Sequence, residues 1–262
     1  YSEWSPNEKV ALEAAIGASL AGGRAMASMK HVGLNVAADP LFTFAYTGVN
    51  GGMAVITADE PGQHSSQNEQ DNRNYAKAAK IPMFEPATSQ EAKDMMMEAF
   101  NISETYDTPV LVRMTTRACH SKGIVECGER AEAAAKEYVK DVRKYLTVPA
   151  FAREMRKKVE KRMDVLKEYS ENTPFNRAEF YDRKIGIIAS GMAFCFSKEV
   201  FGEEASYLKL GFTNPLPEAM IRNFAEKVDT IYIVEENDPY IEEKVRSLGI
   251  ECHGKDVLPA YG

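Results

Sequence analysis

Cysteine is scarce in this chain: four in 262 residues, at positions 119, 127, 195 and 252, with no CxxC pair among them. That argues against a disulfide framework and against a cysteine-held zinc or iron–sulfur site within this chain, and it fits a reducing, cytoplasmic setting. Positive charge is in deficit, with 32 Lys+Arg against 39 Asp+Glu for a net charge of −7. A general nucleic-acid binder does not carry that balance. No apolar run approaches the roughly 18 residues that a membrane span needs. The chain opens at Tyr1, with neither Met nor a signal-like apolar stretch, and reads as a piece cut from a longer protein. GxGxxG, Walker A, GxSxG and HExxH motifs are all missing, and the four His are too scattered to form a nucleophile triad by spacing.

What remains is ordinary globular composition, 44% hydrophobic and 27% charged, patterned as alternating helices and strands. Ser5-Pro6-Asn7-Glu8 predicts a helix start, with Ser5 as N-cap, Pro6 at N1 and Glu8 as the capping-box partner. The helix runs to about Ala21, where Gly22-Gly23 stops it. Its residues are unusually small (Ala11, Ala14, Ala15, Gly17, Ala18), so another backbone or a flat ligand can approach closely. A strand from Arg24 to Met29, a loop at Lys30-His31-Val32-Gly33 and a helix from Asn35 to Tyr46 follow. Met53 to Ala58 is a continuous apolar run, the mark of a buried strand. Asp59 to Asp71 is a polar loop of the length that is more often functional than idle. A helix at Asn72–Ala79, a strand at Pro82–Glu85, a capping box at Thr88–Glu91 opening a helix to Tyr106, and a strand at Pro109–Thr115 complete this part.

Beyond it the texture changes. Glu129–Tyr145 and Pro149–Tyr169 read as charged helices, with 11 Lys+Arg against 7 Asp+Glu between residues 136 and 171. A solvated helix pair bridging two domains explains them better than a basic partner surface. A second α/β unit then runs through strands at Ile185–Ser190, Tyr207–Leu210 and Thr230–Val234, and helices at Met192–Phe201, Pro217–Val228 and Pro239–Leu248. Together this predicts an α/β fold of two parallel-sheet, three-layer domains, 1–125 and 184–262, joined by a helical linker, 126–183. In parallel sheets ligands sit at the carboxyl ends of strands, which here carry Lys30, His31, Asp59, His64, Arg117 and His120.

Several motifs carry a family resemblance. Trp4-Ser5-Pro6-Asn7-Glu8-Lys9-Val10-Ala11-Leu12-Glu13 with Gly17-Ala18-Ser19 resembles the first-helix motif of the thiamine-diphosphate-dependent 2-oxoacid:ferredoxin oxidoreductases. Met29-Lys30-His31-Val32-Gly33-Leu34-Asn35, Asp59-Glu60-Pro61-Gly62, His64-Ser65-Ser66-Gln67-Asn68-Glu69-Gln70-Asp71, Thr116-Arg117-Ala118-Cys119-His120 and Val234-Glu235-Glu236-Asn237-Asp238-Pro239 narrow the resemblance to the indolepyruvate type, alpha subunit. It covers nearly the whole chain, as an internal fragment of that subunit.

The resemblance implies a pyrimidine-binding domain at 1–125, incomplete at its N-terminus, and a transketolase C-terminal-type domain at 184–262. It implies oxidative decarboxylation of aryl pyruvates such as indolepyruvate, with coenzyme A and ferredoxin, and a beta subunit as partner. Mg2+ and [4Fe-4S] clusters are expected in regions of the full enzyme missing here, in keeping with the absence of a Gly-Asp-Gly turn. Nucleic acid and membrane are not expected partners.

The family's catalytic glutamate lies nine residues before the Gly of Gly-Ala-Ser, which is Glu8 relative to Gly17. Its implied role is to hydrogen-bond the cofactor's pyrimidine nitrogen and favour the imino tautomer, which takes the proton from the thiazolium carbon. Read from spacing alone, Glu8 is a capping residue. Lys30 and His31 are further cofactor- or substrate-lining candidates, and His64 is a substrate acid or donor, since an imidazole titrates near neutrality. Asp59 is a further substrate-site candidate, and pyruvate-using relatives have an Arg near its place. That departure argues against pyruvate and makes Arg117 a candidate partner for the substrate carboxylate, the alternative being a structural salt bridge. Glu235 and Glu236 are expected to cap a helix and join the domains, and no metal ligands are expected in this chain. Rival readings are the same chemistry on another 2-oxoacid, or a non-catalytic α/β assembly subunit.

Overall fold

The computed structural model describes residues 1–130 and 132–259; Ala131, within the expected Glu129–Tyr145 helix, and the last three residues of the 184–262 unit lie outside the described residues. The first half runs α1 (Glu8–Leu20), β1 (Ala25–Lys30), α2 (His31–Val36), α3 (Ala38–Thr47), β2 (Met53–Asp59), α4 (Arg73–Ala79), β3 (Met83–Phe84), α5 (Ser89–Tyr106), β4 (Val110–Thr115) and α6 (Thr116–His120). The second runs α7 (Val142–Tyr145), α8 (Pro149–Asn172), β5 (Arg177–Glu179), β6 (Ile185–Ser190), α9 (Gly191–Phe201), β7 (Ser206–Leu210), β8 (Phe212–Asn214), α10 (Glu218–Ala225), β9 (Thr230–Val234) and α11 (Tyr240–Ser247).

Two mostly parallel sheets result, ordered β1-β2-β4-β3-β8 and β5-β7-β6-β9. Only the edge strands β8 and β5 run antiparallel to their neighbours. Strands buried on both faces need continuous apolar runs, and Met53, Ala54, Val55, Val110, Leu111 and Val112 are all buried. Each such Val, Leu or Met side chain contributes about 1.5–3 kcal/mol on burial. The two sheets do not divide cleanly at residue 184: β8 pairs with β3 and completes the first sheet. Three residues without a visible period gave no strand signal there.

Three local expectations are corrected. The N-cap of α1 is Asn7, not Ser5: its backbone is extended and its side-chain oxygen accepts from the Val10 amide at 3.0 Å. Asn caps as well as Ser, so Pro6 falls outside the helix and Glu8 becomes its first residue instead of a capping-box partner. Lys30–Gly33 is not a loop, because β1 ends at Lys30 and α2 begins at His31. Of the expected Glu129–Tyr145 helix, only Val142–Tyr145 is helical among the described residues. The preceding segment docks instead: the Lys136 amide donates to Gly22 O at 2.9 Å, and Asn50 donates to Glu137 O at 3.2 Å. Gly22 has φ +96°, and a Cβ there would overlap the Lys136 carbonyl. Helix propensity is weak enough for such docking to override it.

Elsewhere local rules hold. Thr88 caps α5, accepting from the Glu91 amide at 3.2 Å, while the Glu91 carboxylate accepts from the Ala87 amide at 2.9 Å. α8 lies where a helix was expected, with Met155, Val159, Leu166 and Ser170 buried. No helix among the described residues is long and apolar enough to cross a membrane.

Candidate active site

Register places three loop origins side by side: Lys30 pairs with Ala58, and Asp59 with Thr115. The carboxyl ends of β1, β2 and β4 therefore share one edge of the sheet, where α/β proteins collect their ligands.

Glu8 starts α1 above this edge and lies against α2. A Cβ built on Gly33 would stand 2.6 Å from Glu8 Cγ and 3.0 Å from its Oε1. The Glu8 side chain is half-buried, and its carboxylate has no hydrogen bond or ion pair among the described residues. The small face of α1 is open: Ala14, Gly17 and Ala18 are exposed, and a Cβ on Gly17 would meet nothing.

His31, at the first position of α2, is fully buried. Its Nε2 lies 3.1 Å from Asn68 O and 3.2 Å from Ser66 Oγ, while Nδ1 is buried without a partner. Gln70 and Asn72 both donate to the His31 carbonyl, at 2.9 and 3.2 Å. These bonds pin the loop after β2 onto α2. The Lys30 ammonium donates to Gln67 Oε1 at 2.9 Å and reaches Ser66 Oγ at 3.4 Å, both neutral groups. His64, by contrast, is exposed at the loop tip and has no partner among the described residues.

Asp59 points inward. It is buried and accepts from Arg113 Nε at 2.6 Å and from the Asn72 amide at 2.9 Å. It belongs to a network in which two buried guanidiniums, Arg73 and Arg113, face four carboxylates: Asp59, Asp71, Glu85 and Glu235. Arg73 binds Asp71 at 2.9 Å, Glu235 at 2.6 Å, and the carbonyls of Glu236 and Asp238 at 2.7 and 2.9 Å. Arg113 also binds Asn237 Oδ1 at 2.7 Å. Burial would raise the Asp71 carboxyl, but Arg73 and Arg113 overcome it and hold it below the ordinary range. At Asp59 and Glu235 burial prevails over the neighbouring arginine and raises the carboxyl. Glu235 accepts from the Ile241 and Glu242 amides at 2.9 and 3.0 Å, capping α11, and Glu236 pairs with Arg117 at 2.8 Å. The segment after β9 is thereby fastened to the loops after β2 and β4.

The structure thus brings Glu8, Lys30 and His31 to one end of the first sheet. It puts Asp59 into a buried clasp, Arg117 into an ion pair with Glu236, and His64 into solvent. Sequence reasoning missed Arg73, Arg113, Asp71 and Glu85. One signal was available: Arg113 interrupts the apolar strand Val110–Thr115, and a charge in a strand buried on both faces requires buried partners.

The matches to known proteins coincide with this region. A family model described as pyruvate flavodoxin/ferredoxin oxidoreductase, thiamine-diphosphate-binding, matches residues 5–182, which include α1, β1 and the loop after β2. The chain belongs to this family. Its relatives include the "Indolepyruvate oxidoreductase subunit IorA" of Archaeoglobus fulgidus, 44% identical over 261 residues that cover 97% of this chain and 42% of that protein. The protein of the same name from Pyrococcus abyssi is 43% identical over 276 residues, covering 99% of this chain and 43% of that protein. The chain thus spans less than half the length of these family members. Among solved structures, a 2-oxoglutarate:ferredoxin oxidoreductase from Magnetococcus marinus matches with a TM-score of 0.71 at 15% identity, over 95% of this chain and 53% of that one. A split-gene transketolase matches with a TM-score of 0.57 at 13% identity, over 94% and 70%. These two show the fold shared with the family.

The residues fit the pyrimidine end of thiamine diphosphate. The half-buried Glu8 carboxylate and the buried His31 Nδ1 both keep unused hydrogen-bonding capacity. Among the described residues no group of three or more His, Cys, Asp or Glu is arranged to hold a metal ion.

Proposed function

We propose that this chain is the pyrimidine-binding part of an indolepyruvate:ferredoxin oxidoreductase alpha subunit. The complete enzyme, in the cytoplasm and with its beta subunit, decarboxylates aryl pyruvates oxidatively, forming the acyl-coenzyme A and reducing ferredoxin. The observation that carries this reading is the unpartnered Glu8 carboxylate at the head of α1, in a chain whose family is described as thiamine-diphosphate-binding. Thiamine diphosphate, when bound, supplies a carbon nucleophile toward the 2-oxo group. Glu8 holds and moves a proton at the pyrimidine nitrogen. His31, fully buried, holds the loop after β2 against α2. Residues 1–125, their sheet completed by β8, form the pyrimidine domain and the rest of 184–262 a transketolase C-terminal-type domain, with 126–183 between them. The diphosphate, its Mg2+ and the [4Fe-4S] clusters are held by other parts of the enzyme. A non-catalytic assembly subunit would not need a half-buried carboxylate kept free of partners.

The substrate carboxylate goes to Lys30 in this reading. Arg73, Arg113 and Arg117 all have carboxylate partners, whereas Lys30 has neutral ones and keeps its charge for an anion. Asp59 and Arg117 then serve the clasp rather than the substrate. Lys30→Met is expected to raise KM for the 2-oxoacid by about 10- to 100-fold, the range of a lost charged hydrogen bond, with kcat little changed. An unchanged KM would return Lys30 to loop pinning.

The test of function is substrate choice. With ferredoxin reduction as readout, kcat/KM of the complete enzyme should be higher for indolepyruvate or phenylpyruvate than for pyruvate, because an indole ring buries far more apolar surface than a methyl group. A preference for pyruvate or 2-oxoglutarate would overturn the substrate assignment and leave the family intact.

A further inference from the structure

We infer that Gly33 is a positioning residue for Glu8, its bare α-carbon forming the floor that sets where the carboxylate lies. The inference rests on the reading of Glu8 as the group that holds the cofactor ring.

Gly33 is buried inside α2 and does not have a positive φ, so nothing in the backbone demands glycine there. A helix-interior glycine costs about 1 kcal/mol relative to alanine. What this glycine provides is space. An added Cβ would meet Glu8 at Cγ (2.6 Å), Oε1 (3.0 Å) and Cδ (3.1 Å), and no other group stands as near.

Both backbones at this contact are held. On one side, His31 is pinned to the loop after β2 through Ser66, Asn68, Gln70 and Asn72, and Leu34 is fully buried in the core. On the other, Leu12 anchors α1 in the core and Asn7 caps the helix. A methyl group at residue 33 therefore displaces the mobile partner, the Glu8 side chain, by roughly the 1 Å that turns 2.6 Å into an ordinary contact. A shift of that size at a catalytic group costs on the order of 100-fold in rate.

The two roles open to Gly33 differ in sign. A glycine kept for folding loses stability when replaced. A glycine kept for Glu8 gains helix propensity on replacement and loses chemistry.

The experiment uses the complete enzyme as wild type, Gly33→Ala and Glu8→Gln. It compares the thermal midpoint of the cofactor-free protein, hydrogen–deuterium exchange at C2 of thiamine diphosphate, kcat, and KM for the 2-oxoacid. For Gly33→Ala the expected result is an unchanged or higher midpoint, an unchanged KM, and about 100-fold losses in C2 exchange and kcat. Wild-type exchange in Gly33→Ala, with exchange abolished in Glu8→Gln, would overturn the role of Gly33 and leave that of Glu8 standing. A lowered midpoint in Gly33→Ala would make it a folding glycine and also overturn the inference. Wild-type exchange in Glu8→Gln would instead remove the reading of Glu8 on which it rests.

Discussion

Glu8→Gln in the complete enzyme should abolish most deuterium exchange at C2 of the cofactor and lower kcat by about 10²–10⁴-fold, the usual worth of a positioned acid–base group. Gln preserves the length and shape of the side chain and can still lie over Gly33. It cannot carry a proton to and from a ring nitrogen. Stability should move little. Asn7, not Glu8, caps α1, and the Glu8 carboxylate has no hydrogen bond to lose among the described residues. The remaining effect is loss of one negative charge from the first turn, worth about 0.3–1 kcal/mol through the helix dipole. Quenched-exchange NMR on the enzyme and a denaturant titration together check both halves. Near-normal exchange in the variant would assign Glu8 to the helix alone.

Arg73→Met should destabilise the 262-residue chain by about 3–5 kcal/mol, the cost of stranding buried carboxylates. Arg73 is fully buried, binds Asp71 and Glu235, and stacks over the Tyr240 ring at 5.1 Å. Met fills a similar volume, so the loss reports charge more than packing. The pH dependence has a definite sign. In the wild type Asp71 sits below the ordinary range, so its contribution is present above that range and is lost as pH falls through its folded value. Without Arg73 both carboxyls rise: Asp71 keeps only Arg113 against the burial that raises it, and Glu235 moves further above its unfolded value. The Glu235 contribution is then largest at acidic pH and is lost as pH rises through its folded value, while the Asp71 contribution at higher pH shrinks. The gap between variant and wild type should therefore widen from about pH 5 to about pH 8. Urea titrations at both ends of that window check it. A gap that is constant with pH, or below about 1 kcal/mol, would mean that the network is solvated or rearranges freely.

Much of this fold is legible residue by residue, because the forces that set it are local. Apolar runs marked Ile185–Ser190 and Thr230–Val234 with the bounds they have in the structure. Thr88 and Gly22 sit at the helix end where cap chemistry places them. The spacing of Glu8 before Gly17, read through the family resemblance, singled out the residue that the structure leaves half-buried and unpartnered. Tertiary contacts decided the rest. Lys136 docks on Gly22 where helix formers predicted a helix, since a helix without an apolar face to bury is marginal. Three residues of β8 join a sheet some 130 positions away in sequence, through Met83 opposite Asn214. Asp59 read as a substrate residue on a polar loop and is a buried partner of Arg113. Charge is visible in a sequence, but burial and partnership are properties of the assembled chain. So Asp71, Arg73 and Glu235, ordinary surface residues by type, become the clasp that joins the two sheets at the edge where Glu8, Lys30 and His31 meet.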